Sequence, residues 1–286
     1  MAEIINGKAI ASKINEKVKS EIDKISASGG MIKLASLMVG KSKSSEIYVK
    51  MQRKTAELVG IEFVTSVLDE GVTQDEIIEA IEKLNAEETV TAIIVQNPLP
   101  EGIRHDKIIS KISPGKDAEG LHPYNLGKIL RREADILPCT PGAIMKMLRL
   151  QNIDLYGKEV VIIGDSPIVG KPLSLMMMNE MATTTVCNIA TSERGDLSRH
   201  ARGAEIIVVA VGKAEMVRGD WVSPGTIVID VGINKTDKGI VGDVCFEEVL
   251  EKAAALTPVP GGVGPVTVSI LMRNVLRAYK DQNVTA

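Results

Sequence analysis

Glu159-Val160-Val161-Ile162-Ile163-Gly164-Asp165-Ser166-Pro167-Ile168-Val169-Gly170 is a β-rich run that delivers its C-terminal end into a glycine turn, with helix-like residues beyond. The spacing Gly-x-Ser-x-x-x-Gly differs from the usual Gly-x-Gly-x-x-Gly, yet meets the same physical needs. Gly164 turns the chain, Ser166 offers a hydroxyl, and Gly170 lets the helix approach the strand. Free N–H groups at the helix start then face an anion such as a pyrophosphate. Three more short β-rich runs follow, at Thr184–Cys187, Glu205–Val211 and Thr226–Val231, outlining one dinucleotide-binding unit.

Upstream, strand-like and helix-like runs also alternate, the pattern of a parallel sheet covered on both faces. Ile10, Ile14, Val18, Ile22 and Ile25 form one helical stripe, followed by a strand at 32–39, a helix at 45–59 and a strand at 61–68. Thr73-x-x-Glu76 opens another helix as a capping box. Thr91–Val95 reads as a buried strand ending in Gln96-Asn97-Pro98, where the proline disfavours a helix start. The chain therefore divides into an N-terminal α/β domain at 1–138 and a Rossmann-like domain at 139–266. A last helix, 267–282, is expected to pack back on the first domain. Thr140 and Thr267 are the expected caps of the connecting and final helices.

Thr257-Pro258-Val259-Pro260-Gly261-Gly262-Val263-Gly264-Pro265-Val266-Thr267 combines three glycines with three prolines. Proline fixes φ, and bare glycine backbone can lie against a flat ligand. Composition excludes other classes. A net charge of −3 over 286 residues, without a basic block and with 2% aromatics, argues against nucleic acid. No apolar run of membrane-spanning length and no leader are evident, so no membrane association and a cytoplasmic location are expected. Cys139, Cys187 and Cys245 lie far apart without a C-x-x-C, which suits a reducing compartment and predicts no metal site.

Six segments then coincide in order: Ser44-Ser45-Glu46-Ile47-Tyr48-Val49-Lys50, Val95–Pro100, Lys116-Asp117-Ala118-Glu119-Gly120-Leu121-His122-Pro123, the Gly164 turn, Asp230-Val231-Gly232-Ile233-Asn234, and Thr257–Thr267. Together they resemble the methylenetetrahydrofolate dehydrogenase/cyclohydrolase family nearly end to end. The resemblance implies two α/β domains facing across a cleft, usually as a homodimer, with a folate and a nicotinamide cofactor. It implies oxidation of 5,10-methylenetetrahydrofolate to the methenyl form, followed in most members by hydrolysis to 10-formyltetrahydrofolate. Catalytic roles fall on Tyr48, Gln52, Gln96 and Glu119. Folate contacts fall on these four with Val95, Asn97, Pro260, Gly261, Gly262, Val263 and Gly264. Cofactor contacts fall on Gly164, Asp165, Ser166, Val169, Gly170, Ile189, Gly212, Ile233 and Thr267.

Two departures from the family pattern bear on chemistry. Gln52 stands where the family carries a lysine held to assist hydrolysis, one helical turn from Tyr48 and on its face. Lys50 and Lys54 point about 200° away. Glu119 replaces an aspartate that holds the pteridine. Retained dehydrogenation with weak or absent hydrolysis is therefore expected. For the cofactor, Asp165 and Asn188-Ile189-Ala190 occupy positions where users of the phosphorylated form often carry basic residues or serine, which favours NAD over NADP, with Arg194, Arg199 and Arg202 as possible neutralisers of a phosphate. Other readings are a fully bifunctional enzyme using NADP, an oxidoreductase for a shikimate-like acid, and a non-catalytic nucleotide sensor.

Overall fold

The computed structural model describes residues 1–40, 43–237 and 239–283, with the side chains of 43–45 outside that description. Along the first half run β1 (Glu3–Ile4), α1 (Gly7–Ala27), β2 (Lys33–Val39), α2 (Lys43–Val59), β3 (Glu62–Leu68), α3 (Gln74–Ala86), β4 (Ala92–Val95), α4 (His105–Ile109) and α5 (Pro123–Leu130). The second half continues with α6 (Cys139–Leu150), β5 (Glu159–Ile163), α7 (Gly170–Asn179), β6 (Thr183–Cys187), α8 (Ile189–Glu193), α9 (Leu197–Arg202), β7 (Ile206–Val209), β8 (Ile227–Asp230), β9 (Asn234–Thr236), β10 (Gly239–Val241), α10 (Phe246–Leu250), β11 (Ala255–Leu256) and α11 (Val263–Asn283).

Two compact units result: Met1–Ala11 with Thr140–Thr267, and Ser12–Cys139 with Val268–Ala286. Within the second of these, β2 lies between β3 and β4, all parallel. The α1 stripe is buried at Ile14, Val18 and Ile22. The predicted capping box is present, with Glu76 N–H donating to Thr73 and Thr73 N–H donating to the Glu76 carboxylate at 2.7 Å. Such a cap stabilises a helix by about 1 kcal/mol. The α11 segment joins this unit through Asn274, whose Nδ2 donates to the Ala118 and Leu137 carbonyls at 3.0 and 2.8 Å, and through the Lys280–Glu21 ion pair at 2.9 Å.

The other unit is a six-stranded sheet in the order β1-β11-β8-β7-β5-β6, parallel throughout. Fully buried parallel strands need apolar residues on both faces, and Ile206, Ile207, Val208 and Val209 are all inaccessible. Here the domain boundary drawn from residue 1 is corrected. Met1–Ala11 belong with this sheet because β1 pairs with β11, Glu3 opposite Ala255 and Ile4 opposite Leu256. Two helix starts also shift. The α11 helix opens at Val263, so Thr267 is no cap: its hydroxyl donates to the Val263 carbonyl at 3.2 Å, one turn back. The α6 helix opens at Cys139, one residue ahead of the expected cap Thr140.

Candidate active site

In the unit containing β2–β4, four predicted residues converge. Tyr48 and Gln52 are one turn apart on α2, Gln96 sits at the end of β4, and Glu119 follows the short turn at Pro114–Lys116. Gln52 is wholly buried, and its Oε1 accepts from Gln96 Nε2 at 2.7 Å; the same Nε2 donates to Ser36 Oγ at 3.0 Å. Lys50 and Lys54, two residues to either side, are exposed. Among the described residues, neither flanking lysine shares the buried position of Gln52.

The Gln52 Nε2 is buried without a partner of hydrogen-bonding geometry, although the amide lies close enough to the Tyr48 phenol to lower its pKa in part. Burial outweighs that influence, with the nearby Cys139 and Glu119 adding to it, so the phenol is held well above its ordinary range. Glu119 Oε2 is likewise buried and unpartnered. Burial, reinforced by Asp117, pushes its carboxyl up to about 8. Asp117, two residues away, is the opposite case. It is also buried, yet it accepts Gly120 N–H at 3.0 Å, His122 N–H at 2.8 Å and Asn125 Nδ2 at 2.8 Å. Val95 is buried in β4, and Asn97 is exposed just beyond it, with its Nδ2 at 3.3 Å from His105 Nε2.

In the other unit, the strand ends of β5, β6 and β7 surround a cleft of about 340 Å³ at the point where strand order reverses. Gly164, Asp165, Ser166 and Ile189 line it, with Ile189 73% exposed. Asn188, named above with Ile189 and Ala190 for cofactor choice, lines it too, as do Ser192, Val211, Lys213 and Met216, which the sequence reading missed. The signal available for Lys213 was its place after a strand and a turn glycine.

Both turn glycines are sterically enforced. A Cβ on Gly170 would sit 1.9 Å from the Gly164 carbonyl oxygen, and one on Gly164 would sit 2.3 Å from the Ala210 oxygen. Ser166 helps build the turn, its Oγ accepting the Val169 N–H at 3.0 Å, which leaves the hydroxyl proton able to donate as well. Val169, Gly170, Gly212, Ile233 and Thr267 are not part of the cleft lining; Gly212 lies between two residues that are, and Ile233 is exposed.

The Pro260–Gly264 stretch belongs to this same unit. Gly261 has φ of +108°, and a Cβ on Gly7 would meet the Gly262 oxygen at 1.7 Å, so the α1 start packs against bare loop backbone. Among the described residues no group of three or more His, Cys, Asp or Glu is placed to hold a metal, and no helix is long and apolar enough to cross a membrane.

Family models match both halves of the chain. The tetrahydrofolate dehydrogenase/cyclohydrolase catalytic domain covers residues 5–119, and the NAD(P)-binding domain of the same family covers 138–283. The chain belongs to the tetrahydrofolate dehydrogenase/cyclohydrolase family. It is 47% identical over 280 residues to the bifunctional protein FolD of Sulfurihydrogenibium sp., with 97% of each chain covered. A bifunctional FolD structure from Campylobacter jejuni superposes with a TM-score of 0.95 at 43% identity, covering 99% of this chain and 100% of that one. The Trypanosoma brucei enzyme, complexed with NADP and an inhibitor, gives 0.93 at 39% identity, covering 100% and 99%.

Proposed function

We propose that this protein oxidises 5,10-methylenetetrahydrofolate to 5,10-methenyltetrahydrofolate with NAD in preference to NADP, and hydrolyses the methenyl product weakly or not at all. The observation that carries this reading is the Gln96–Gln52 hydrogen bond, which fixes a neutral amide where the family places a lysine.

A dinucleotide fits the cleft: the Gly164–Gly170 contact leaves a cradle that a side chain would fill, and apolar Ile163, Ile189, Ala210, Val211 and Met216 suit a base and ribose. A bound nicotinamide would accept the hydride. The protein's own contribution to that step is alignment. Tyr48, Glu119 and the Gln52 amide offer hydrogen-bonding groups to a pterin, and two of them carry buried atoms with no internal partner. Since buried polar atoms are almost always paired, such atoms mark places that a ligand satisfies.

Hydrolysis asks for more: a water must lose a proton and a pterin nitrogen must gain one. An amide exchanges no proton near neutral pH, and losing a general acid/base typically costs about 10² to 10⁴ in rate. One observation favours a second reading. Glu119 keeps its proton up to about pH 8 and is a candidate acid in the lysine's stead. In that case hydrolysis persists in the wild type and disappears in Glu119→Gln.

The preference for NAD is supported by Asp165 and Ile189 lining one cleft. A carboxylate 4 Å from a 2′-phosphate charge costs about 4 kcal/mol at an effective dielectric of 20. The downstream arginines have partners of their own: Arg194 and Arg199 pair with Asp196 at 3.2 and 3.3 Å, and Arg202 donates to the Asp220 carbonyl at 2.9 Å. The proposal includes a homodimer, which rests on the family resemblance, and sedimentation at twice the chain mass tests it. The activity is tested by following reduced-nicotinamide absorbance on adding methylenetetrahydrofolate with each cofactor. A higher kcat/KM for NAD is expected; no reduction with either cofactor refutes the reading.

A further inference from the structure

Two buried carboxylates lie behind the dinucleotide cleft, and among the described residues neither has an ion-pair partner. Asp230, at the end of β8, accepts Gly232 N–H and Asp243 N–H on Oδ1, at 2.9 and 3.0 Å, and Val244 N–H on Oδ2 at 2.9 Å. Asp243 is completely inaccessible; its Oδ2 accepts Val211 N–H at 2.7 Å and Gly212 N–H at 2.9 Å, and its Oδ1 accepts Asn234 Nδ2 at 2.8 Å. Placing two like charges together in a low-dielectric interior is costly, and the cost is bearable only because six N–H groups converge on them. The glycines confirm the tightness of the arrangement: a Cβ on Gly242 would sit 1.8 Å from Asp230 Oδ2, and one on Gly232 would sit 2.2 Å from Asp243 Oδ1.

The outer end of this relay is the cleft wall. Val211 and Lys213 both line the cleft. Gly212 between them has φ of +66° with open space around its Cβ position, so glycine is needed there for backbone conformation alone. The Asp243 carboxylate grips the two N–H groups on the near side of that left-handed turn. The adjoining Ala210 carbonyl is the atom against which Gly164 packs, so the position of residues 210–212 also sets that of the phosphate-facing turn. None of these contacts requires Asp243 to reach the cleft itself.

We propose that Asp243 is a positioning residue for the dinucleotide: through the Val211 and Gly212 amides it sets the cleft wall that carries Val211 and Lys213, and so governs cofactor affinity without touching the cofactor or the folate. This rests on the dinucleotide reading of the cleft. If wild-type protein binds neither NAD nor NADP in a fluorescence titration, that reading fails and the inference with it. If the wild type binds, the inference is tested separately.

In Asp243→Ala, the Kd and KM for the dinucleotide are expected to rise at least tenfold. The folate KM and the kcat at saturating cofactor should stay within about threefold of wild type. Asp243→Asn keeps one acceptor for the two amides and is expected to recover much of the affinity. Should Asp243→Ala fail to fold, Asn234→Ala removes the side-chain donor that holds Asp243 Oδ1 and is expected to give a smaller rise of the same selective kind. Unchanged dinucleotide affinity in a folded Asp243→Ala, or in both Asp243→Asn and Asn234→Ala, overturns the proposal, as does a parallel loss in kcat, folate KM and cofactor KM.

Discussion

The two compact units treat buried carboxylates in opposite ways. In the unit holding the six-stranded sheet, Asp230 and Asp243 between them accept five backbone N–H groups and one side-chain amide, leaving the cleft wall fixed before any ligand arrives. In the unit containing β2–β4, Glu119 Oε2 and Gln52 Nε2 are buried without a partner of hydrogen-bonding geometry. Asp117 shows that this is not a general property of the second unit, since it is saturated by three donors only two residues from Glu119. Satisfied buried polar groups hold backbone in place, whereas the unpartnered atoms of Gln52 and Glu119 remain open to a ligand.

The largest effect should come from the orphaned amide. Gln52→Lys is expected to raise methenyltetrahydrofolate hydrolysis by about 10² or more, within the range for a restored general acid/base, while changing dehydrogenation far less. A rapid-mixing assay of methenyl absorbance checks it. Unchanged hydrolysis would mean that the Gln96 contact, and not the missing cation, limits the step.

Next in size is the cofactor cleft. Asp165→Arg is expected to reverse cofactor preference, with a gain of about 10² in kcat/KM for NADP, since it removes one like charge and adds an opposite one. Steady-state kinetics with both cofactors decide the matter. An unaltered ratio would show that Asp165 faces away from the 2′ position.

Glu119 gives an effect of pH. Its folded pKa of about 8 lies above the ordinary value of 4.5, so the native state holds a proton that the unfolded chain has already released. The associated stability is fully present below about pH 4.5, is lost as pH rises toward 8, and changes no further above that. Thermal melts from pH 5 to 9 should show this fall in the wild type and a flatter profile in Glu119→Gln. Identical profiles would place Glu119 in solvent. The smallest effect belongs to scaffold alone: Thr73→Ala should cost about 1 kcal/mol in denaturant unfolding and leave both activities untouched.

Much of this was legible in the sequence where local chemistry decides structure. The Gly164 turn, the Thr73 box and the shared face of Tyr48 and Gln52 depend on residues within a turn or two of one another. What escaped depends on distant partners. The two-residue strand β1 has no periodicity to read and gains its place only by pairing with β11, some 250 positions later. The Asp243 relay joins residues 211, 212, 230 and 234, and nothing around Asp243 in the chain distinguishes it from a surface carboxylate. The α11 start at Val263 was hidden because Gly-Gly-Val-Gly-Pro reads as loop, whereas a proline in the first turn lacks only an N–H that would be unpaired anyway.

The most direct test compares the two reactions in the unmodified protein, measuring NAD-dependent dehydrogenation and methenyl hydrolysis in the same buffer below pH 8. Dehydrogenation with hydrolysis at least about 10²-fold slower is the predicted outcome for a site whose buried amide cannot move a proton. Hydrolysis at a rate comparable to dehydrogenation would contradict it.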